Sequence, residues 1–318
     1  MKTRNKWLQP ITFWAGLGAV FIVLQLYCYL RWIFSDNFKP VAPGTHGVPA
    51  YSQISIIAFE AVSMLALVVA IIWFIRGIKK TGKINTTRLM MIGWLSAYWL
   101  DPFLNYLKPM FTYNTSLVNF GSWANFIPGY MAPNGEKIAE PLLVNPANYF
   151  MTFTITTMAV VWIMKKIKEK FPNTKLWVQI LSGFPVVWVV NSILDVVATR
   201  YFNFDAWLIG NQNLSLWGGK FYQFPLSEFI TFPLIFIAGA LLVYYQDENG
   251  HTAVERDYDQ LGLADWKITL LRILAVIAFV NLLNWSYTAL SGLIALGGDP
   301  WPANVPNWIS DQQIPFLK

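Results

Sequence analysis

The chain has 318 residues, of which 55% are hydrophobic and only 13% charged, with a formal net charge of +6. Soluble domains carry about 25% charged residues, so a soluble enzyme, a disordered chain and a disulfide scaffold are all excluded. A polytopic membrane protein remains, and its basic residues read as topology signals beside the spans rather than as a nucleic-acid surface.

A membrane-crossing helix needs roughly 20 predominantly apolar residues. Seven stretches qualify: 11–34, 52–75, 89–107, 148–164, 176–199, 226–245 and 268–290. They predict an all-α, polytopic membrane helix bundle of seven transmembrane helices, with residues 1–318 forming a single domain. The first stretch follows Lys2, Arg4 and Lys6. Its apolar run exceeds that of a signal peptide and lacks a small-residue cleavage site, so it reads as a true helix. It contains the single cysteine, Cys28, which excludes an internal disulfide. The connection 108–147 is long and rich in aromatic residues, Asn, Gly and Pro. The segment 200–225 and the tail 291–318 are similar, with Trp207, Trp217, Trp301 and Trp308. Such loops form either interfacial aromatic belts or a lid over an outer cavity. Lys and Arg counts orient the chain: fifteen flank one side, from Lys2 through Arg76, Lys165 and Lys267, and six the other, from Lys39 to Lys318. The expectation is N-terminus inside and C-terminus outside.

Acids inside spans are costly and face the bundle interior, so each is a functional hypothesis. The second span carries Glu60, the third Asp101, the fifth Asp195 and the sixth Glu228, with Asn105, Asn191, Asn281 and Asn284 beside them. At about 1.5 Å per residue all lie within roughly 12 Å of the outer boundary. Tyr98, Asp101 and Asn105 fall on one helical face, with Trp94 one turn further in; Asn191 and Asp195 form an i, i+4 pair. The asparagines also suit plain interhelical hydrogen bonding, Glu228 suits a first-turn acid after Pro225, and Asp195 has Arg200 or Arg31 as prospective partners. No mid-span lysine for retinal, no HExxH, no nucleotide loop and no Gly-x-Ser-x-Gly elbow is present. His46 and His251 are far apart and no aspartate-rich cluster occurs, so neither a metal nor a cofactor is expected.

The segment from Tyr98 to Leu142 reads YWLDPFLNYLKPMFTYNTSLVNFGSWANFIPGYMAPNGEKIAEPLL. Its W-L-D-P…N-Y, its Y-N-x-x-L-x-N-x-G-S-W run and its ending at Ala139, Glu140 and Pro141 resemble the AveC-like spirocyclase family of bacterial integral membrane proteins. The resemblance implies spiroketal formation in polyketide biosynthesis, in some members with dehydration, and a site in the bacterial plasma membrane. It carries over no catalytic residues.

Spiroketalisation of a dihydroxyketone needs a proton donor to expel water from a hemiketal and an acceptor for the second hydroxyl's proton. Asp101 and Glu60 are the expected acid/base pair, with Asp195 and Glu228 as supporting acids. Asn105, Asn191, Asn281 and Asn284 are expected to orient hydroxyls, and Trp94, Tyr98 and Trp99 to line the pocket and face the developing cation. The expected partners are a lipophilic small molecule and the bilayer, without nucleic acid. Two other classes stay open: a small proton-coupled carrier, disfavoured by the lack of an internal repeat and by the outer position of the acids, and a non-catalytic lipid-binding protein.

Overall fold

A computed structural model of the chain describes residues 9–44 and 47–309. Lys2, Arg4, Lys6, His46 and Lys318, named above, lie outside the described residues. The chain is mostly helical. Five helices are long and apolar enough to cross a membrane: α1 (Pro10–Ile33), α2 (Ala50–Thr81), and, after a shorter α3 (Thr86–Ala97), α4 (Val144–Lys170) and α5 (Leu176–Phe202), then α7 (Asp265–Leu296), which follows the shorter α6 (Glu228–Tyr244).

The third and sixth expected spans are therefore helical but short. Residue 102 is a proline, which has no backbone N–H and disfavours helical geometry in the residue before it. The chain accordingly leaves α3 and tightens into a 3₁₀ helix over Tyr98–Asn105. With 17 residues, α6 reaches about 26 Å, a little less than a typical hydrocarbon core. Local chemistry explains the ends of other helices. Pro10 opens α1 where its missing N–H costs nothing. The Asn85 side chain caps α3 by accepting from the Arg88 N–H, and Gly82 closes α2 in the left-handed conformation.

α7 is the spine of the bundle: α1, α3 and α6 pack along it, while α4 packs against α5 and α6. α2 lies at the periphery and turns Ile54, Ile57, Val62 and Leu65 outward, an apolar surface that suits lipid rather than water. Close approach of α1 to α7 depends on Gly18, where an added Cβ would stand 2.0 Å from the Leu274 carbonyl oxygen, whereas one at Gly16 would meet nothing within 4 Å. Gly18→Ala is therefore expected to lower stability by about 1–3 kcal/mol and Gly16→Ala to leave it unchanged. Equal melting temperatures for the two variants would refute this account of the contact.

At the end of the bundle called outer here, the aromatic connections fold together instead of lying as separate belts. Strand β1 (Phe111–Tyr113) pairs antiparallel with β2 (Asp205–Trp207), in the register Phe111↔Trp207, Thr112↔Ala206 and Tyr113↔Asp205. A second pair, β3 (Ser215–Leu216) and β4 (Phe224–Pro225), lies beside it. Because side chains alternate along a strand, Phe111, Tyr113, Asp205 and Trp207 share one face, and all four look into the bundle's main cavity.

Candidate active site

The cavity has a volume of about 300 Å³, at the small end of ligand sites. Its roof is the β1–β2 pair, and its walls come from α2, the 3₁₀ segment, α4 and α5, with Phe232 of α6 and Tyr287 and Thr288 of α7. Three π-helical turns, Asn148–Thr152 in α4 and Trp188–Ser192 and Ala198–Phe202 in α5, contribute Asn148, Tyr149, Thr152, Asn191, Ala198 and Phe202 to the lining. Such turns insert an extra residue into a helix and often mark functional positions.

Three acids line this space: Asp101, Asp195 and Asp205. Asp101 is held by donors from three elements. The Tyr113 hydroxyl from β1 donates to its Oδ2, the Asn145 Nδ2 donates to the same oxygen at 3.2 Å, and the Tyr149 hydroxyl donates to Oδ1 at 2.7 Å. Asn145 also donates to the Tyr113 hydroxyl at 2.8 Å. The 3₁₀ twist explains the direction of Asp101. With three residues per turn, positions i and i+3 eclipse, so Asp101 and Leu104 reach the cavity together. Asn105, expected on that face by α-helical spacing, turns away and accepts from the Phe111 N–H at 2.9 Å, which anchors β1.

Asp205 is buried on β2 and accepts from the Thr199 hydroxyl. Burial, and then the nearby Asp195 and Asp101, hold its carboxyl well above the usual range, which favours its protonated form. Asp195 faces the cavity half-buried and has neither expected arginine. The Arg200 guanidinium lies over the Tyr222 ring at 4.0 Å, and Arg31 lies over Phe126 and Tyr27. Flat aromatic faces at the outer surface take both cations instead.

The other predicted residues are distributed differently. Glu60 is not brought to Asp101: its Oε1 accepts from the Val118 N–H at 2.7 Å and ties α2 to the outer connection. Glu228 sits on a second cavity of about 300 Å³ and accepts from the Tyr287 hydroxyl at 2.8 Å and from Ser291 at 3.4 Å. Tyr287 itself lines the main cavity. Of the expected hydroxyl-orienting asparagines, Asn191 reaches the main cavity. Asn281 accepts from the Trp99 indole at 2.7 Å and donates to Ser96, and Asn284 donates to the Ala97 carbonyl. Trp94 is fully buried with its N–H on Thr157, and Tyr98 donates to the Pro141 carbonyl. These five hold helices and loop together.

Glu60→Gln keeps an acceptor for Val118, so stability is expected to match wild type. Glu60→Ala leaves that N–H without its partner, with an expected loss of about 1 kcal/mol. A Glu60→Gln variant that melts as low as Glu60→Ala would refute this account of the contact.

Sequence reasoning missed Tyr113, Glu140, Asn145, Tyr149 and Asp205, because it sought acids and amides within spans. Glu140 is buried beside Asp101, 1% exposed. Burial and the neighbouring Asp101 hold its carboxyl well above the usual range. The faint signal was in the loop sequence itself, where an acid stands between alanine and proline at 139–141. Among the described residues, no group of three or more His, Cys, Asp or Glu side chains could hold a metal ion.

Fold and site together define a helical membrane protein with an acid-lined cavity beneath an aromatic roof. Residues 82–312 match the family model described as "Spirocyclase AveC-like", and the chain belongs to that family. No curated protein and no solved structure matches the chain. The matched stretch contains Asp101, Glu140, Asp195, Asp205 and Glu228; Glu60 precedes it.

Proposed function

We propose that the protein is an integral membrane cyclase that closes a spiroketal or related ring on a lipophilic, polyketide-like substrate by carboxyl acid/base catalysis. The observation that carries this reading is the pair of differently partnered acids on one cavity: Asp101, which accepts from three donors, and Asp205, which is buried, accepts from Thr199 alone, and is pushed by that burial toward its protonated form. Two carboxyls with environments that separate their protonation states divide the acid and base roles.

In the proposed cycle a dihydroxyketone enters as its hemiketal. Asp205 gives its proton to the hemiketal hydroxyl, the C–O bond breaks and water leaves. The resulting oxocarbenium ion faces the Asp101 carboxylate and the rings of Tyr149 and Phe153. The second hydroxyl then attacks the cationic carbon, and its proton passes to Asp101. Net loss is one water. The proton then returns from Asp101 to Asp205, which stands opposite Tyr113, the hydrogen-bond partner of Asp101, in the strand register, and the site is reset. The cavity's edge carries Phe59 of α2 and Leu194 and Phe202 of α5, which are 36%, 60% and 42% exposed. That apolar mouth suits a substrate arriving sideways from lipid.

The test is incubation of the purified protein, in lipid nanodiscs, with a lipophilic dihydroxyketone. The expected product is lighter by one water and contains a quaternary ketal carbon by NMR. Proton-coupled uptake into liposomes with no product would make the protein a carrier instead. Substrate that is bound and released unchanged would make it a lipid-binding protein.

A further inference from the structure

Glu140 is absent from the cavity lining, and the cycle above does not use it, yet its surroundings are unusual for a carboxyl. Backbone bonds fix the turn that bears it: Glu140 N–H to the Ile138 carbonyl, Leu142 N–H to the Val118 carbonyl, and the Tyr98 hydroxyl to the Pro141 carbonyl, all at 3.0 Å. Neither Glu140 oxygen receives a well-formed hydrogen bond from any donor among the described residues. Only the Asp101 carboxyl and the Ser122 hydroxyl lie within reach. The other titratable groups facing it are Tyr29 of α1, Tyr98 of the 3₁₀ segment, Tyr113 of β1, Tyr130 of the outer connection and Tyr149 of α4. No Lys, Arg or His is among the groups that act on it.

Two carboxyls in contact, buried and without a cation, cannot both be ionised at modest cost, so one proton stays between them. Where it rests follows from the partners. Asp101 already accepts from Tyr113, Tyr149 and Asn145, which favours its charged form, while Glu140 accepts from none.

We propose that Glu140 is the positioning residue of this site: it keeps a proton that it shares with Asp101, and so presents Asp101 to the cavity as a singly charged, fully hydrogen-bonded base. The proposal rests on the cyclase reading for its catalytic consequence, but the shared proton stands independently of it. When Asp101 takes the proton of the attacking hydroxyl, the pair passes from one negative charge to none. Loss of the shared proton at alkaline pH leaves two adjacent carboxylates, which repel each other and loosen the turn at 139–141.

The sign of the stability effect follows. A buried acid that stays neutral in the folded chain binds a proton that the unfolded chain releases above about pH 4.3. Stability is therefore highest below that value and falls as pH rises toward the folded group's own ionisation. Wild type is expected to melt at progressively lower temperature as pH rises above about 4.3. Asp205 adds to the same slope.

Glu140→Gln is the central variant, since its amide still donates to Asp101 but carries no titrating proton. It is expected to lose part of the pH dependence of melting. It is also expected to lose part of the alkaline fall in kcat, the remainder belonging to Asp205, with little change in KM, and Glu140→Asp to retain both in full. The infrared difference between wild type and Glu140→Gln at neutral pH should contain the band of a protonated, buried carboxyl. A carboxylate band in its place overturns the shared proton, whether or not the protein has activity. A protonated band with identical kcat–pH profiles for wild type and Glu140→Gln overturns the positioning role. A protonated band in a protein that forms no ketal leaves the carboxyl pair standing and removes the cyclase reading. Should Glu140→Gln fail to fold, the infrared difference between wild type and Glu140→Asp at neutral pH reads the same carboxyl, and the absence of a protonated band that shifts between the two is equally decisive against the pair.

Discussion

Replacing Asp101 with Asn is expected to reduce turnover of a dihydroxyketone by about 10³-fold, within the range typical of a positioned proton-transfer group. Two effects act together. The amide cannot take up the proton of the attacking hydroxyl, and it withdraws the negative charge that faces the oxocarbenium ion. It also changes the hydrogen-bond count. Three donors, from Tyr113, Tyr149 and Asn145, converge on the two carboxylate oxygens, whereas Asn offers one oxygen and brings two N–H donors of its own. At least one buried donor is left without an acceptor, at a cost of about 1–3 kcal/mol. Turnover and melting temperature must therefore be measured on the same preparation. A variant that elutes as folded protein, with wild-type helicity, and turns over within a factor of about three of wild type removes Asp101 from the chemistry.

The largest loss of stability is expected at Trp123. This side chain is fully buried in the outer connection. Its indole N–H donates to the Trp99 carbonyl at 2.7 Å, and its ring meets Tyr29, Trp32 and Tyr98 edge to face at 4.9 to 5.3 Å. It thus joins the connection to α1 and to the 3₁₀ segment that carries Asp101. Trp123→Ala is expected to cost about 3–5 kcal/mol, from lost transfer energy and the cavity left behind. Because the connection also carries Tyr113 and Glu140, turnover should fall with it. The check is thermal unfolding in nanodiscs together with protease cleavage of the outer connection. Trp123→Phe, which keeps most of the ring packing, should recover more than half of the loss. If Trp123→Ala melts with wild type and its connection resists protease equally, the connection is held by other contacts.

The membrane class and most helices were legible because they depend on composition and on runs of about 20 residues. The family was legible because the Tyr98–Leu142 segment carries it in contiguous residues. Asp101 was found for a sound reason, since an acid within an apolar helix needs a polar interior. The same rule gave equal weight to Glu60, whose need is met by one backbone N–H of a distant connection. Asn281 and Asn284 likewise found their partners on α1, α3 and the 3₁₀ segment rather than on a substrate surface.

What the sequence by itself determined is the solvent, the helical class, the family and two acids of the cavity, Asp101 and Asp195. Each of these follows from short-range pattern or from a single residue's solvation cost. Which acids share a space was decided only by tertiary structure. Asp205 is an ordinary loop residue until the β1–β2 register sets it opposite Tyr113, and Glu140 is an ordinary loop acid until its turn is pinned beside Asp101. Pairings between segments tens of residues apart leave no periodicity along the chain. The low-polarity interior that makes such acids hold their protons exists only once the outer connections have closed over it.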